Sequence, residues 1–207
     1  MNDNNNVMLV PDIIIPTCKD REQVMPLLGI VSFFSDACSV IATCTPASAA
    51  INRNKGLDSA TSDIVIMIDD DTGGFYAGWW RDLIMPLIKH GDISMVSARL
   101  VKADGSPAPM MHGSPDLVTT TVDVKYAPSA CIAFWRDDLR FDEGYIGSGF
   151  EDTDFCEQLK KKHPESRFVI NNKCRIIHHN EQKNQHGRFF EANKARYENK
   201  WNRVFKE

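Results

Sequence analysis

Short apolar runs alternate with longer segments whose apolar side chains recur at helical spacing, and this alternation organises the first half of the chain. The run DIIIPTC (12–18) has the length and β-branched content of a buried strand. From Arg21 to Phe34 the apolar residues fall three and four apart, which predicts a helix, and SVIATC (39–44) reads as a second strand. AAINRNKGLDSAT (49–61) suits another helix, and IVIMI (64–68) is a third strand after the polar break SD. The segment from Trp79 to Lys89 again suits a helix despite Pro86, and ISMVSARLV (93–101) reads as the next strand. Near the end, CRIIHHNEQ (174–182) reads as a strand, and residues 189–205 place Phe189, Tyr197, Trp201 and Phe205 at multiples of four, an amphipathic helix. Strands that alternate with helices predict an α/β fold, a mainly parallel mixed sheet flanked by helices.

A chain of 207 residues is long enough for one such domain with a proper core, so residues 1–207 are expected to form a single domain. Residues 1–10 read as a polar N-terminal tail, and 181–207 as a basic amphipathic helical segment. With 43% hydrophobic and 25% charged residues, the composition is that of a globular chain and excludes disordered or fibrous classes. The start MNDNNN lacks a basic region followed by an apolar core, and no long apolar stretch follows, so a cytoplasmic protein without a transmembrane segment is expected. Six cysteines are scattered without a C-x-x-C pair, which argues for reduced thiols rather than a zinc site or a disulfide framework.

The net charge of −4 is unevenly spread. Residues 160–207 carry 13 Lys and Arg against 5 Asp and Glu, whereas residues 1–159 carry 11 against 23. A basic segment of this kind suits a membrane surface or a nucleic acid, and it equally suits the acidic body of its own chain. The aromatic stripe of 189–205 fits the second role if it docks on the sheet.

Candidate chemistry centres on two groups of carboxylates. IVIMI runs straight into Asp69, Asp70 and Asp71, three like charges that repel one another at the end of a buried strand. A divalent cation such as Mg²⁺ or Mn²⁺ would supply the missing charge, since hard cations favour carboxylate oxygens. A solvated Asp-Gly turn accounts for the same string. Position favours the cation, because ligands of open α/β sheets bind beyond the carboxyl ends of the strands. The second pair, Glu151 and Asp152, lies between the loop GYIGSG and a helix in DTDFCEQLKKK. One acid there would satisfy the helix dipole, so two leave room for a general base.

DIIIPTCKDR, SAAINRNKGLDSATSDIVIMIDDDT, MVSARLVKADGSPAP and SACIAFWRDDLRFDEGYIGSGFEDTDFCEQLKKK follow one another in this chain. In that order they resemble the motifs of the family 2 glycosyltransferases, inverting nucleotide-sugar enzymes with a GT-A fold, over residues 11–180. The resemblance implies a single Rossmann-like GT-A domain and a metal-dependent, non-processive hexosyltransferase. Such an enzyme moves a sugar with inversion from a nucleotide-diphosphate donor, by family habit a UDP-sugar, to an acceptor hydroxyl. It further implies that Asp71 ligates Mn²⁺ or Mg²⁺, that His178 completes the metal site with His179 in reserve, and that Asp69 contacts the nucleoside. Thr17, Arg21 and Arg53 would face the nucleotide-sugar. Asp70 is the variable middle position of that group, where plain exposure to solvent is expected. Asp152 would be the general base and Glu151 its acceptor-orienting neighbour, while the preceding glycines would let the loop move over substrate. The acceptor could be a glycan, a lipid-linked sugar, a protein or a modified nucleobase.

The chain departs from the family in several places. The family's base-reading Asp has Cys44 or Thr45 at its position, and QHGRF (185–189) resembles the Gln-x-x-Arg-Trp motif of processive members with Phe for Trp. Two other classes share parts of the pattern. A sugar nucleotidyltransferase would carry a Gly-rich loop after the first strand, where PTCKDR has no glycine. A non-catalytic nucleotide- or sugar-binding module of the same fold would not need both carboxylate pairs.

Overall fold

The protein is described by a computed structural model over residues 9–108, 120–179 and 188–205. The elements run β1 (Asp12–Thr17), α1 (Arg21–Phe34), β2 (Val40–Cys44), α2 (Ala49–Ser59), β3 (Ile64–Ile68), β4 (Thr72–Gly73) and α3 (Trp79–Lys89). They continue with β5 (Ile93–Val101), β6 (Thr121–Val124), β7 (Cys131–Trp135), α4 (Glu151–Lys162), β8 (Arg167–His178) and α5 (Phe190–Trp201). One sheet takes the order β2-β1-β3-β7-β5-β8-β4, with β6 also paired to β8. β1, β2, β3, β5 and β8 point one way, and β4, β6 and β7 run against them.

The central strands are buried on both faces, which is why they read as continuous apolar runs rather than alternating ones. Ile13, Ile15, Ile64, Ile66 and Ile68 pack on one side against Val24 and Val31 of α1 and Trp79, Trp80, Leu83 and Leu87 of α3. Ile14, Val65 and Met67 face the other side, against Ala50 and Leu57 of α2 and Phe155, Cys156 and Leu159 of α4. α1, α3 and β5 have the bounds their spacing predicts, and the helices carry Pro26 and Pro86 internally.

Several expectations change. β8 begins at Arg167, seven residues before the expected strand, and ends at His178, so residues 180–182 of that reading lie outside the described residues. β4 and β6 are strands that the apolar pattern does not reveal, since β4 has two residues and β6 is only partly buried; β7 is an apolar run, CIAFW, that the alternation of strands and helices passes over, inserted antiparallel between β3 and β5. Leu9 and Val10, assigned to the polar tail, pack against the core. Most of QHGRF lies outside the described residues.

The aromatics of α5 dock, though not on the sheet. Tyr197 joins Tyr145 and Phe150 in a separate buried cluster, with Phe190, Trp201 and Phe205 packed against it. Its cations meet the acids of the same chain: Arg196 and Lys200 bind Asp142 at 2.7 and 2.8 Å, Lys200 also binds Asp154 at 2.9 Å, and Arg203 binds Glu157 at 2.6 Å. Three cations of the basic segment thus serve an internal role. Among the described residues no helix is long and apolar enough to cross a membrane. All six cysteines are free, with Cys131, Cys156 and Cys174 buried, and burial pushes the Cys156 and Cys174 thiols up to about 12.

Candidate functional site

The site forms where β1, β3 and β8 end and α4 begins, and α2 organises it. Ser48 caps α2 by accepting from the Ile51 N–H at 3.3 Å. The helix then turns three consecutive polar residues, Asn52, Arg53 and Asn54, into the protein interior. Asn52 Nδ2 donates to the Thr17 and Thr45 carbonyls, each at 3.0 Å, and so joins the ends of β1 and β2. Asn54 bonds both backbone groups of Phe141 at 2.9 Å. Gly56 lets the helix approach so closely, because a Cβ there would collide with Ile14 Cγ2.

Arg53, between the two asparagines, connects the carboxylate groups. One guanidinium nitrogen donates to Glu151 Oε1 at 2.6 Å, and the other reaches Asp69 Oδ1 at 3.2 Å and Ser129 Oγ at 3.4 Å. Phe141 lies 5.3 Å beneath the guanidinium carbon. Burial opposes the charge on Arg53, and Glu151 and Asp69 more than offset it, so its pKa rises.

The acid cluster does three different things. Asp69, whose N–H bonds the Ala130 carbonyl at 2.9 Å, faces Arg53. Asp70 accepts from the Thr17 hydroxyl and from Lys19 Nζ at 2.7 Å, so it is not simply exposed to solvent. Because β1 and β3 are parallel neighbours, their ends lie side by side and Asp70 ties them together. Asp71 lies 3.2 Å from His178 Nε2.

The Asp71–His178 contact depends on an unusual crossing. β3 and β8 are separated in the sheet by β7 and β5, but the chain after Asp71 crosses to the far edge of β8, where Thr72 pairs with His178. Asp69, Asp71 and His178 consequently offer ligand atoms all within 4.8 Å of one another. His178 is buried, whereas the neighbouring His179 contributes its N–H to the Asp71 carbonyl and packs its ring over Gly73.

Within the chain, the acids of the cluster are compensated by Arg53 and His178. Withdrawal from solvent raises the Asp69 carboxyl against the pull of Arg53, and Asp71 beside it raises it further. For Asp71 and His178, burial opposes charge and their mutual hydrogen bond outweighs it, so Asp71 is held below and His178 above the ordinary value. Two carboxylates and one imidazole whose ligand atoms lie this close are compatible with a divalent cation.

Glu151 and Asp152 open α4, and Phe150 before them takes a left-handed conformation with φ of 69°. Both Glu151 oxygens are engaged: Oε1 with Arg53 and Oε2 with the Gly149 N–H at 2.5 Å. Burial pushes its carboxyl up to about 7 against the pull of Arg53. Asp152 stays half-buried, with Oδ2 accepting from Ser129 Oγ at 2.7 Å and Oδ1 from the Thr153 N–H at 2.7 Å.

Of the residues expected at the site, Arg53, Asp69, Asp71, His178, Glu151 and Asp152 form a connected set, and Thr17 and Asp70 form its rim. Arg21 is exposed at the start of α1. Asn52, Ser129 and Lys19 belong to the set without having been singled out. Asn52 and Ser129 sit within quoted motif segments, but nothing in their local sequence marks a buried hydrogen-bonding role.

No protein-family model and no curated protein matches the chain. Solved structures do. Residues of this chain align over 84% of its length with S. aureus TarS 1-349 in complex with UDP-GlcNAc, at TM-score 0.56 and 14% identity, covering 59% of that chain. GalNAc-T7 with UDP, GalNAc and Mn²⁺ aligns over 82% of this chain and 38% of its own, at TM-score 0.55 and 12% identity. The chain thus spans less than two thirds of either structure. At these identities the likeness is one of fold, and the fold is that of the GT-A glycosyltransferases.

Proposed function

We propose that this domain transfers a sugar from a nucleotide-diphosphate donor, a UDP-sugar, to an acceptor hydroxyl with inversion and with the help of a divalent cation. The observation that carries the reading is the pairing of two carboxylate centres, Asp69 and Asp71 with His178 on one side and Glu151 with Asp152 on the other, through the single buried Arg53. Two fold neighbours support the choice of donor, since one is described with UDP, GalNAc and Mn²⁺ and the other with UDP-GlcNAc.

Asp69, Asp71 and His178 hold the cation, which when bound supplies Lewis-acid stabilisation of the diphosphate charge that develops as the sugar leaves. Thr17, Lys19 and Asp70 form the nucleotide rim, with the Thr17 hydroxyl and Lys19 held by Asp70, and exposed Arg21 is left free to reach the nucleotide from the start of α1. Asp152 is the general base. It keeps solvent access and touches only uncharged donors, whereas Glu151 is committed to Arg53 and Gly149. As the acceptor oxygen attacks the anomeric carbon, its proton passes to the Asp152 carboxylate and the carbon–oxygen bond to the diphosphate breaks on the opposite face. Glu151, fixed by Arg53, orients the acceptor side.

Calorimetric titration with UDP, GDP and dTDP, with and without Mn²⁺, tests the donor half, and hydrolysis of the matching nucleotide-sugars tests the chemistry. One nucleotide should bind in a Mn²⁺-dependent way that Asp71→Ala abolishes. Absence of binding by all three, with or without the cation, would reduce the acid cluster to a structural turn and overturn the proposal.

A further inference from the structure

The glycine-containing loop before α4 is expected from sequence to swing over substrate, yet a single side chain of α5 holds it. Asn193 is 1% exposed. Its Oδ1 accepts from the Ile146 N–H at 2.9 Å, and its Nδ2 donates to the Ile146 and Gly149 carbonyls at 2.9 Å each, with the Ser148 carbonyl at 3.3 Å. The loop is held from its other side as well, where the Ala49 N–H of α2 bonds the Gly147 carbonyl at 2.7 Å.

The glycines here serve close approach. Gly147 has φ of +63°, and a Cβ on it would stand 2.5 Å from the Phe189 ring, while one on Gly144 would collide with the Arg196 guanidinium. Both obstacles belong to the C-terminal segment, so the loop and α5 are shaped to each other. At the loop's far end, the Gly149 N–H is the donor that holds Glu151 Oε2, and Asp152 follows directly.

We propose that Asn193 is a positioning residue for the acceptor side of the site: it fixes the backbone of residues 146–149 and thereby the placement of Glu151 and Asp152. This rests on the reading of Asp152 as general base. The chemistry selects asparagine, because one rigid amide supplies an acceptor and two donors together. Aspartate would keep the bond from the Ile146 N–H and lose those to the carbonyls, and alanine would leave several buried backbone groups without partners. Asparagine is a poorer helix former than alanine, which makes its place in the first turns of α5 costly without such a task.

The test uses the full chain as wild type, Asn193→Ala and Asn193→Asp, with three readouts: amide exchange by mass spectrometry, UDP binding with Mn²⁺, and hydrolysis of UDP-GlcNAc. In Asn193→Ala, exchange across residues 144–152 should accelerate about tenfold or more while α5 and the strands β1, β2 and β3 keep their protection. Asn193→Asp should fall between Asn193→Ala and wild type. UDP affinity should stay within about twofold, and kcat should fall roughly 10- to 100-fold without a matching rise in KM, the penalty for misplacing a catalytic group. Unchanged exchange in 144–152, acceleration spread through α5 and the sheet, or a kcat unmoved by a loosened loop would each overturn the proposal. A wild-type chain that neither binds UDP nor hydrolyses UDP-GlcNAc would instead defeat the transferase reading, and the exchange comparison would still decide whether Asn193 holds the loop.

Discussion

Arg53 and Glu151 form an ion pair of 2.6 Å in which each side chain is only 4% exposed. The pair joins α2 to α4, two helices on the same face of the sheet, and Arg53 extends it to Asp69 at the end of β3. Removing Arg53 leaves the Glu151 carboxyl buried without its partner, and protonation of that raised carboxyl relieves only part of the cost. Arg53→Ala should therefore cost about 3–5 kcal/mol of folding stability, as for other broken buried pairs. Urea unfolding at pH 7 measures this, and a loss under about 1 kcal/mol would show that the charges find other compensation.

Asp71 and His178 should be required for cation-dependent binding. Even changes outside the ligand shell of metal centres cost about 10- to 100-fold in affinity, so Asp71→Asn or His178→Ala should weaken Mn²⁺-dependent UDP binding at least that much. A chelator such as EDTA should abolish the same binding signal in wild type. Equal UDP affinity with Mn²⁺ and with EDTA would remove the metal from the account.

Turnover should separate Asp152 from the donor-binding residues. Asp152→Asn should lower the rate of sugar transfer or donor hydrolysis by about 10²- to 10⁴-fold, the usual contribution of a general base, and leave UDP affinity unchanged. Ser129→Ala removes the hydroxyl that Asp152 Oδ2 accepts from at 2.7 Å and should lower the rate by a smaller factor in the same direction. An Asp152→Asn protein that turns over like wild type would move the base elsewhere.

Two helical glycines should respond to alanine with opposite signs. Nothing lies within 4 Å of a Cβ built on Gly29 in α1, so Gly29→Ala should stabilise by about 0.5–1 kcal/mol through helix propensity. At Gly56 in α2 the new methyl would run into Ile14, and overpacking there should cost about 1–3 kcal/mol. Chemical denaturation of the two variants compares them directly, and stabilisation by Gly56→Ala would show that β1 and α2 can part.

Acid should release α5 before it unfolds the sheet. Burial disfavours the Asp142 carboxylate, but its bonds from Lys200, Arg196 and the Gly144 N–H outweigh that and hold its pKa down at about 2. An unfolded aspartate titrates near 4, so the unfolded chain binds this proton first on acidification. The stabilisation is complete above about pH 4 and is lost as pH falls toward 2. Fluorescence of Trp201 between pH 5 and 2 should report the undocking, and Asp142→Asn should remove much of the pH dependence.

Much of the architecture was legible in the apolar pattern because β1, β3 and β5 are buried on both faces and α3 packs a clear apolar face on them. β6 escaped because its short, half-exposed run carries little apolar signal, and for β7 the run CIAFW was there to read but its antiparallel place between β3 and β5 follows from partners far along the chain, which no local period encodes. At the site, the three aspartates were visible as an anomaly of charge, but their separate tasks were not. Asp70 looked like a solvated residue, and only the adjacency of the β1 and β3 ends gives it Thr17 and Lys19 as partners. Asn193 was invisible for a similar reason: in sequence it is one polar residue on a basic helix, and its four backbone partners belong to a loop more than forty residues earlier.

The pairing of Thr72 with His178 also bears on how the protein reaches its native state. Two of the proposed ligands follow the third strand directly and one ends the last, so joining them closes a very long stretch of chain whose entropy must be surrendered before any contact repays it. Local helices and the β1–β2–β3 unit can form without that closure. The ligand cluster cannot, which places its assembly late in folding, and the proposed cation-dependent nucleotide binding, followed during refolding, would report when the whole sheet is complete.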